Sequence, residues 1–179
     1  MKELGTFKVK CGTVTVSDPC YGPGSAAAGV VPAKSGVWHA YVEIYKDASW
    51  GPRPSELIAV HDTELGNKPD ELDWELLPYD FCVDSGKLGF FDTSEYVVQK
   101  TENDDEFYDD MVGENISNHT VGNFGVVSMS GYGDGSYEGF QIIKNGEAVA
   151  LKVVFLSDDE EEEVNDEDES VEESWDYEW

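Results

Sequence analysis

The chain of 179 residues is long enough for one domain with a hydrophobic core and short for two. Apolar residues make up 40% of it and aromatic residues 12%, and the 18 glycines favour strands joined by tight turns. Eleven basic and 39 acidic residues give a formal net charge of −28, which argues against direct binding to DNA or RNA because the phosphate backbone would repel such a chain.

The termini and the cysteines bear on the cellular compartment. No apolar run approaches the roughly 20 residues of a membrane span, and residues 1–5, Met-Lys-Glu-Leu-Gly, lack the apolar stretch of a secretion signal. We therefore expect a cytoplasmic protein without a membrane partner. Cys11, Cys20 and Cys82 form no CxxC pair and are odd in number, so reduced thiols are expected rather than a disulfide framework or a zinc site.

The first half of the chain shows the pattern of short strands. Residues 18–24, Asp-Pro-Cys-Tyr-Gly-Pro-Gly, predict a turn, because Pro fixes φ and Gly permits a positive φ. Apolar and polar residues alternate over residues 37–45, and this period of two predicts a long strand with one apolar face. A second turn is predicted at residues 50–54. The predicted strands of this half are residues 6–10, 13–16, 37–45 and 56–61.

The middle of the chain predicts a loop, two strands and one helix. Residues 63–73 are polar and predicted as a loop, whereas residues 74–83 and 88–91 are predicted as strands, the former bent or at an edge because of Pro78. Residues 103–112 are predicted as the only helix. Asn103 is its expected cap and Glu106 completes a capping box, while Phe107 and Met111 share one face.

The last part of the domain carries the strongest sheet pattern. Strands are predicted over residues 123–129, 137–144 and 147–156, with Asn145-Gly146 as a two-residue hairpin turn. We expect these strands to form a three-stranded meander. Residues 1–156 are thus predicted to be one mainly β (α+β) domain, an antiparallel sandwich or partly open barrel with one short helix.

Residues 157–179 are expected to be a disordered acidic tail. Residues 158–179 hold 14 acidic residues and no basic one, so residues 1–157 keep 25 acidic and 11 basic residues and a net charge of −14. Such a segment repels itself and buries too little to offset its ordering entropy. Its end alternates aromatic and acidic side chains, which are the predicted partner-binding residues: Trp175, Asp176, Tyr177, Glu178 and Trp179.

Several blocks resemble a known family. Residues 131–137, Gly-Tyr-Gly-Asp-Gly-Ser-Tyr, with a following hairpin that ends at residues 150–155, resemble the DUF4241 family. Residues 83–86 with Phe91-Asp92, and residues 12–19 with their Asp-Pro turn, are similar to further blocks of that family in the same order. The family tends to have Pro where this chain has Glu138, and the tail lies outside the resemblance. The resemblance implies a fold and a pocket and names no reaction.

Four acidic residues lie inside these blocks and are the candidate ligand or metal residues: Asp18, Asp84, Asp92 and Asp134. If their turns meet at one end of the sheet, their oxygens suit a divalent cation such as Ca²⁺ or Mg²⁺. The alternative is that Asp18 and Asp134 accept hydrogen bonds from turn amides, as Asp in Gly-rich turns usually does. Apart from such a cation, no cofactor is expected.

Two functions follow from these features. The favoured interpretation is a non-enzymatic acidic protein that binds a basic, nucleic-acid-binding protein, in the manner of bacterial or phage inhibitors that mimic nucleic acid. The alternative is a small metal- or ligand-dependent domain, such as a hydrolase, built on the four Asp residues. A nucleophilic Cys/His enzyme would use Cys20 or Cys82 with a histidine, but no local feature marks a nucleophile. The available histidines are His39, His61 and His119.

Overall fold

The computed structural model describes residues 1–47, 49, 51–66, 73–112 and 117–156. The predicted tail, residues 157–179, lies outside the described residues. The strands are β1 Lys2–Val9, β2 Thr13–Ser17, β3 Gly29–Pro32, β4 Gly36–Asp47, β5 Gly51–His61, β6 Glu75–Val83, β7 Lys87–Asp92, β8 His119–Val121, β9 Gly125–Met129, β10 Gly135–Lys144 and β11 Glu147–Val154. The helices are α1 Thr93–Glu102 and α2 Asp104–Val112, with one turn of 3-10 helix at Asp62–Glu64.

The strands form two antiparallel sheets, which confirms the predicted mainly β, antiparallel class. The six-stranded sheet has the order β1-β4-β5-β11-β10-β6, and the five-stranded sheet has the order β3-β2-β7-β9-β8. Among the described strands neither sheet closes on itself as a barrel. Side chains from both sheets form one buried cluster between them, so the arrangement is a sandwich. Its largest fully buried members are Phe7, Trp38, Leu57, Phe81, Leu88, Phe90 and Leu151.

The prediction of a turn at residues 50–54 is wrong where the structure describes them, because Gly51 already begins β5. Pro52 and Pro54 pair with the end of β4. This end of the β4–β5 hairpin extends beyond the neighbouring strand β11, because the pairing of β11 with β5 stops at Glu56. The missing N–H groups of the two prolines therefore interrupt no continuous ladder on that side. The expectation that Pro78 marks an edge is confirmed, because β6 is the last strand of its sheet.

The predicted three-stranded meander is wrong. β9 pairs with β7 and β8 in the five-stranded sheet, whereas β10 and β11 belong to the six-stranded sheet. The chain crosses between the sheets after Ser130, whose amide donates to the Gly86 carbonyl oxygen at 3.1 Å. The predicted hairpin turn is confirmed, with positive φ at both Asn145 (55°) and Gly146 (84°), as a type I′ turn requires. The short strands β3 and β8 were not predicted.

The prediction of a single helix is also wrong, because α1 precedes the predicted helix, α2. The carboxylate of Asp92 caps α1 by accepting from the Glu95 amide at 3.1 Å. Tyr96 then stacks on Phe91, with ring centroids 4.9 Å apart, and so packs α1 against β7. Among the described residues, no helix has the length and apolar character needed to cross a membrane.

Candidate acidic binding surface

The described surface carries a large excess of acidic side chains. Among the residues that the structure describes, fifteen acidic side chains are exposed but only five basic ones are, namely Lys2, Lys8, Lys10, Lys46 and Lys144. Two of these five are engaged in ion pairs, Lys10 with Glu95 and Lys144 with Glu64. The exposed acidic residues are Glu3, Asp62, Asp73, Glu75, Asp80, Asp84, Glu102, Asp104, Asp105, Glu106, Asp109, Asp110, Asp134, Glu138 and Glu147.

These acids are densest on α2. Phe107 and Met111, one turn apart, are buried in an apolar cluster with side chains of α1, β7, β8 and β9, and this packing turns the polar side of the helix outward. Five of the nine residues of α2 are exposed acids: Asp104, Asp105, Glu106, Asp109 and Asp110. Those in the first turn also interact favourably with the positive end of the helix dipole. We call these five residues the acidic face.

One lysine lies beneath the acidic face. Lys100 of α1 is buried, and its ammonium group donates to the Pro19 carbonyl oxygen at 2.9 Å and pairs with Asp104. Its charge is therefore offset by Asp104. Within the described chain, no ion pair engages the other four carboxylates of the acidic face, so their combined negative charge is available to a cation.

A cavity lies on each side of α2. The first, of about 590 Å³, is lined by Cys20, Lys100, Asp104, Asp105, Tyr108 and Asp109, and we call it the Cys20 cavity. The second, of about 480 Å³, has an apolar floor and lies between α2 and the β8–β9 turn; we call it the Phe124 cavity. Its lining includes Glu106, Phe107, Asp110, Met111, His119 and Phe124.

The wall of the Cys20 cavity is held in place by α1. The hydroxyl of Tyr96 donates to the Tyr21 carbonyl oxygen at 2.7 Å, and Lys100 binds the carbonyl of Pro19 in the same turn. Burial raises the pKa of Tyr96 to about 12, so its hydroxyl stays protonated and remains a donor at neutral pH. Residues 18–21 are thus fastened to α1 at two points.

Asp18, the first predicted site residue, is fully buried and binds the turn that follows β6. One carboxylate oxygen accepts from the backbone amides of Asp84 and Ser85 at 2.8 and 2.7 Å. The other accepts from the Cys20 amide at 2.7 Å and from the Ser85 hydroxyl at 2.6 Å. Asp18 therefore accepts hydrogen bonds from turn amides, which was the predicted alternative to a cation site for this residue.

Asp84 and Asp134 lie at the same end of the sandwich as Asp18, because their turns are in contact. Asp84 is exposed and accepts from the Tyr21 hydroxyl at 2.6 Å. That hydrogen bond raises the pKa of Tyr21, with burial as a further cause. The turn after β6 also binds residue 130 through Gly86, which brings the exposed Asp134 to this end.

Asp92 lies apart from the other three, at the opposite end of β7. Besides capping α1, its carboxylate accepts from the backbone amides of Lys10 at 2.6 Å and Cys11 at 3.1 Å, and from the Ser94 hydroxyl. Burial by itself raises the pKa of this carboxyl, but the hydrogen bonds outweigh burial and lower the pKa to about 2. Asp92 thus joins the β1–β2 turn to the start of α1.

Metal binding and nucleophilic catalysis both depend on how His, Cys, Asp and Glu side chains are placed. Within the described residues, no group of three or more such side chains is placed to hold a metal ion. The cation site therefore stays a prediction. Burial, followed by a hydrogen bond to Asp18, raises the pKa of Cys20 to about 12, which keeps the thiol protonated at neutral pH. His61 is engaged by Thr63 and by the Ser35 carbonyl, at 3.0 and 3.2 Å.

Sequence reasoning missed the acidic face and both cavities as candidate sites. Of the acids of α2, only Glu106 entered the sequence analysis, as part of a capping box. The Phe124 cavity combines α2 with residues of the β8–β9 hairpin, which no local motif connects to the helix. The predicted tail residues 175–179 lie outside the described part of the chain.

Comparisons with family models, with curated proteins and with solved structures find no match to this chain. The resemblance to the DUF4241 family therefore stays a prediction that rests on the residues quoted for it.

Proposed function

We propose that the protein is a non-enzymatic binding protein that holds a basic protein partner against its acidic surface. The observation that carries this proposal is the imbalance of exposed charge, fifteen acidic side chains against five basic ones on the described surface. A surface of one sign steers an oppositely charged partner toward it and raises the rate of association. It repels nucleic acid for the same reason, so the partner is a protein. A basic surface that fits this acidic one is also the kind of surface that binds nucleic acid.

The tail adds a second contact in this proposal. Its carboxylates replace the phosphates of a nucleic acid, while Trp175, Tyr177 and Trp179 occupy sites that otherwise stack on bases. A tail that served solubility alone has no use for three large aromatic side chains so close together. The chain would then act as a nucleic-acid-mimicking inhibitor, of the kind that bacteria and phages encode.

The test is capture of partners from a lysate by the full chain and by a chain that ends at Leu156, followed by a nucleic-acid-binding assay on each captured protein. We expect a basic protein that the full chain retains and releases as the salt concentration rises. Added duplex DNA or RNA is expected to displace it. If no basic protein is retained at low salt, or if the captured protein binds its nucleic acid equally well in the presence of the full chain, the proposal fails.

A matched variant separates the aromatic side chains from the charge of the tail. Replacing Trp175, Tyr177 and Trp179 together by Ala leaves the net charge at −28. If the aromatic groups dock, this variant loses affinity nearly as far as the chain ending at Leu156 does. If it binds like the unaltered chain, the tail contributes only through its charge, and the docking role of these three residues is excluded.

A cation-dependent domain is the second candidate, because the turns that bear Asp18, Asp84 and Asp134 lie at one end of the sandwich. In that case Ca²⁺, Mg²⁺ or Mn²⁺ raises the melting temperature of the full chain, and Asp134→Asn removes the increase. The same measurement on Asp92→Asn is the control, since Asp92 lies at the other end of β7. No shift with any of the three ions would remove the support for this candidate.

A further inference from the structure

We infer that the Phe124 cavity receives an arginine side chain of the basic partner. This inference rests on the proposed function and specifies which type of residue the acidic surface recognises. The cavity measures about 480 Å³, within the range of about 300–1,000 Å³ that is common for ligand sites. Its floor is apolar and aromatic, and two carboxylates of the acidic face lie at its rim. This combination suits a side chain that is flat, weakly hydrated and positively charged.

The floor of the cavity provides a surface on which a planar cation stacks. Phe107 and Met111 are almost fully buried, whereas Phe124 is half-buried and its ring lies nearly parallel to that of Phe107, with centroids 6.3 Å apart and an angle of 28° between the planes. Because Phe124 lines the cavity and is the most exposed of these three side chains, its ring is the part of the floor on which a ligand would stack. Guanidinium groups stack on such rings and lose less hydration on burial than ammonium groups do.

The rim provides the charge that such a cation requires. Glu106 and Asp110 are both exposed, both line the cavity and lie four residues apart, one turn along the same side of α2. In the part of the chain that the structure describes, neither has an ion pair. Two carboxylates in this arrangement are able to accept from the forked donors of one guanidinium group.

The Cys20 cavity, on the other side of α2, lacks this combination. It contains the ammonium group of Lys100, which is already paired with Asp104. Lys100 therefore neutralises part of the negative charge of this cavity, and among the described residues that line it Tyr108 is the only aromatic one. Charge and apolar surface together therefore favour the Phe124 cavity.

The test is a titration of the full chain, labelled with nitrogen-15, with Nα-acetyl-arginine amide and in parallel with Nα-acetyl-lysine amide at constant ionic strength. We expect saturable changes in the amide resonances of residues 103–111 and 119–124. We also expect the arginine probe to bind at least about threefold more tightly than the lysine probe, because only the guanidinium group is planar. Equal affinity of the two probes, or changes located elsewhere, would overturn the inference.

The chain contains a matched control for the charge. The double variant Glu106→Gln with Asp110→Asn is expected to weaken binding of the arginine probe about fivefold or more. The double variant Asp105→Asn with Asp109→Asn changes the same charge at the same spacing on the same helix, but its residues line the Cys20 cavity. This control is expected to change the affinity less than about twofold.

Equal weakening by the two double variants would show that only the general negative charge of α2 attracts the probe, and the inference would be wrong. The titration uses the isolated chain and a small probe, whereas the proposed function is tested by capture of a partner and inhibition of its nucleic-acid binding. A captured partner without a response in the cavity refutes the inference alone. A response in the cavity without any captured basic protein refutes the proposed function alone.

Discussion

Replacement of the buried carboxylate of Asp18 by an amide is expected to destabilise the domain strongly. In Asp18→Asn one of the two oxygens becomes an NH₂ group, which cannot accept a hydrogen bond. Of the two possible orientations, the less costly one places the NH₂ group beside the Ser85 hydroxyl and the Cys20 amide. The hydroxyl can rotate and accept a hydrogen bond from it, whereas the amide is a donor and cannot accept one. The amide of Cys20 is then left without its acceptor in a partly buried turn.

Two contributions set the size of the effect. An unsatisfied buried N–H costs about 1–3 kcal/mol. The two hydrogen bonds from the amides of Asp84 and Ser85 remain, but they lose their charged acceptor, at about 0.5–1 kcal/mol each. The free energy of unfolding is therefore expected to fall by about 3 kcal/mol, which corresponds to a decrease of roughly 10 °C in the melting temperature for a domain of this size.

Urea denaturation followed by tryptophan fluorescence measures this effect, because Trp38 is fully buried in the core. Asp134→Asn is the control: it makes the same change of charge on an exposed side chain, and the midpoint is expected to stay nearly unchanged. A loss of less than about 1 kcal/mol in Asp18→Asn would refute the reasoning. If a divalent cation stabilises the unaltered chain and not Asp18→Asn, the carboxylate acts as a metal ligand instead.

Three further predictions concern single side chains. Asp92 has a folded-state pKa of about 2 against an ordinary value of 3.8, so it contributes about 2 kcal/mol of stability above about pH 5, and this contribution disappears as the pH falls through about 4 to 2. The difference in unfolding free energy between the unaltered chain and Asp92→Asn, measured across that range, is expected to shrink accordingly. Tyr96→Phe removes the donor to the Tyr21 carbonyl and is expected to lower the free energy of unfolding by about 1–2 kcal/mol in urea denaturation. Cys20, half-buried with a pKa of about 12, is expected to react with iodoacetamide at least about tenfold more slowly than the two exposed thiols, as peptide mass spectrometry would show.

Each of these predictions has an outcome that would contradict it. The difference in unfolding free energy between the unaltered chain and Asp92→Asn could also prove independent of pH. That result would show that the Asp92 carboxyl titrates alike in the folded and unfolded states. If Tyr96→Phe unfolds at the same urea concentration as the unaltered chain, the hydroxyl does not fasten residues 18–21 to α1. Equal rates of alkylation at Cys11, Cys20 and Cys82 would show that the Cys20 thiol is accessible and ionises normally.

Local patterns in the sequence determined the elements whose side chains repeat with a regular period. The alternation over residues 37–45 predicted β4, and Asn145-Gly146 predicted the turn between β10 and β11, because only a few residue types adopt a positive φ without strain. The spacing of Phe107 and Met111 predicted α2. The strongly acidic composition also follows from the sequence, and with it the expectation that nucleic acid is repelled.

Contacts between distant residues decided the rest. α1 was missed because Val97 and Val98, which are exposed, favour strands locally, whereas Tyr96 packs on Phe91 and fixes the helix there. β9 belongs to the five-stranded sheet for a similar reason, because the packing of apolar side chains in the folded domain decides which strand pairs with which. Local propensity contains no information on that choice.

In the candidate site, too, the sequence identified single residues, and the tertiary structure decided what they contact. Asp18 was selected from its turn, but three of the four hydrogen bonds that its carboxylate accepts come from Asp84 and Ser85, 66 and 67 positions further along the chain. The rim of the Phe124 cavity lies on α2, and its floor is completed by a hairpin that follows in the sequence. The sequence by itself determined how many carboxylates the protein carries; only the tertiary structure decided which are consumed by backbone amides and which face solvent beside an aromatic floor, because that depends on where distant backbone segments pack.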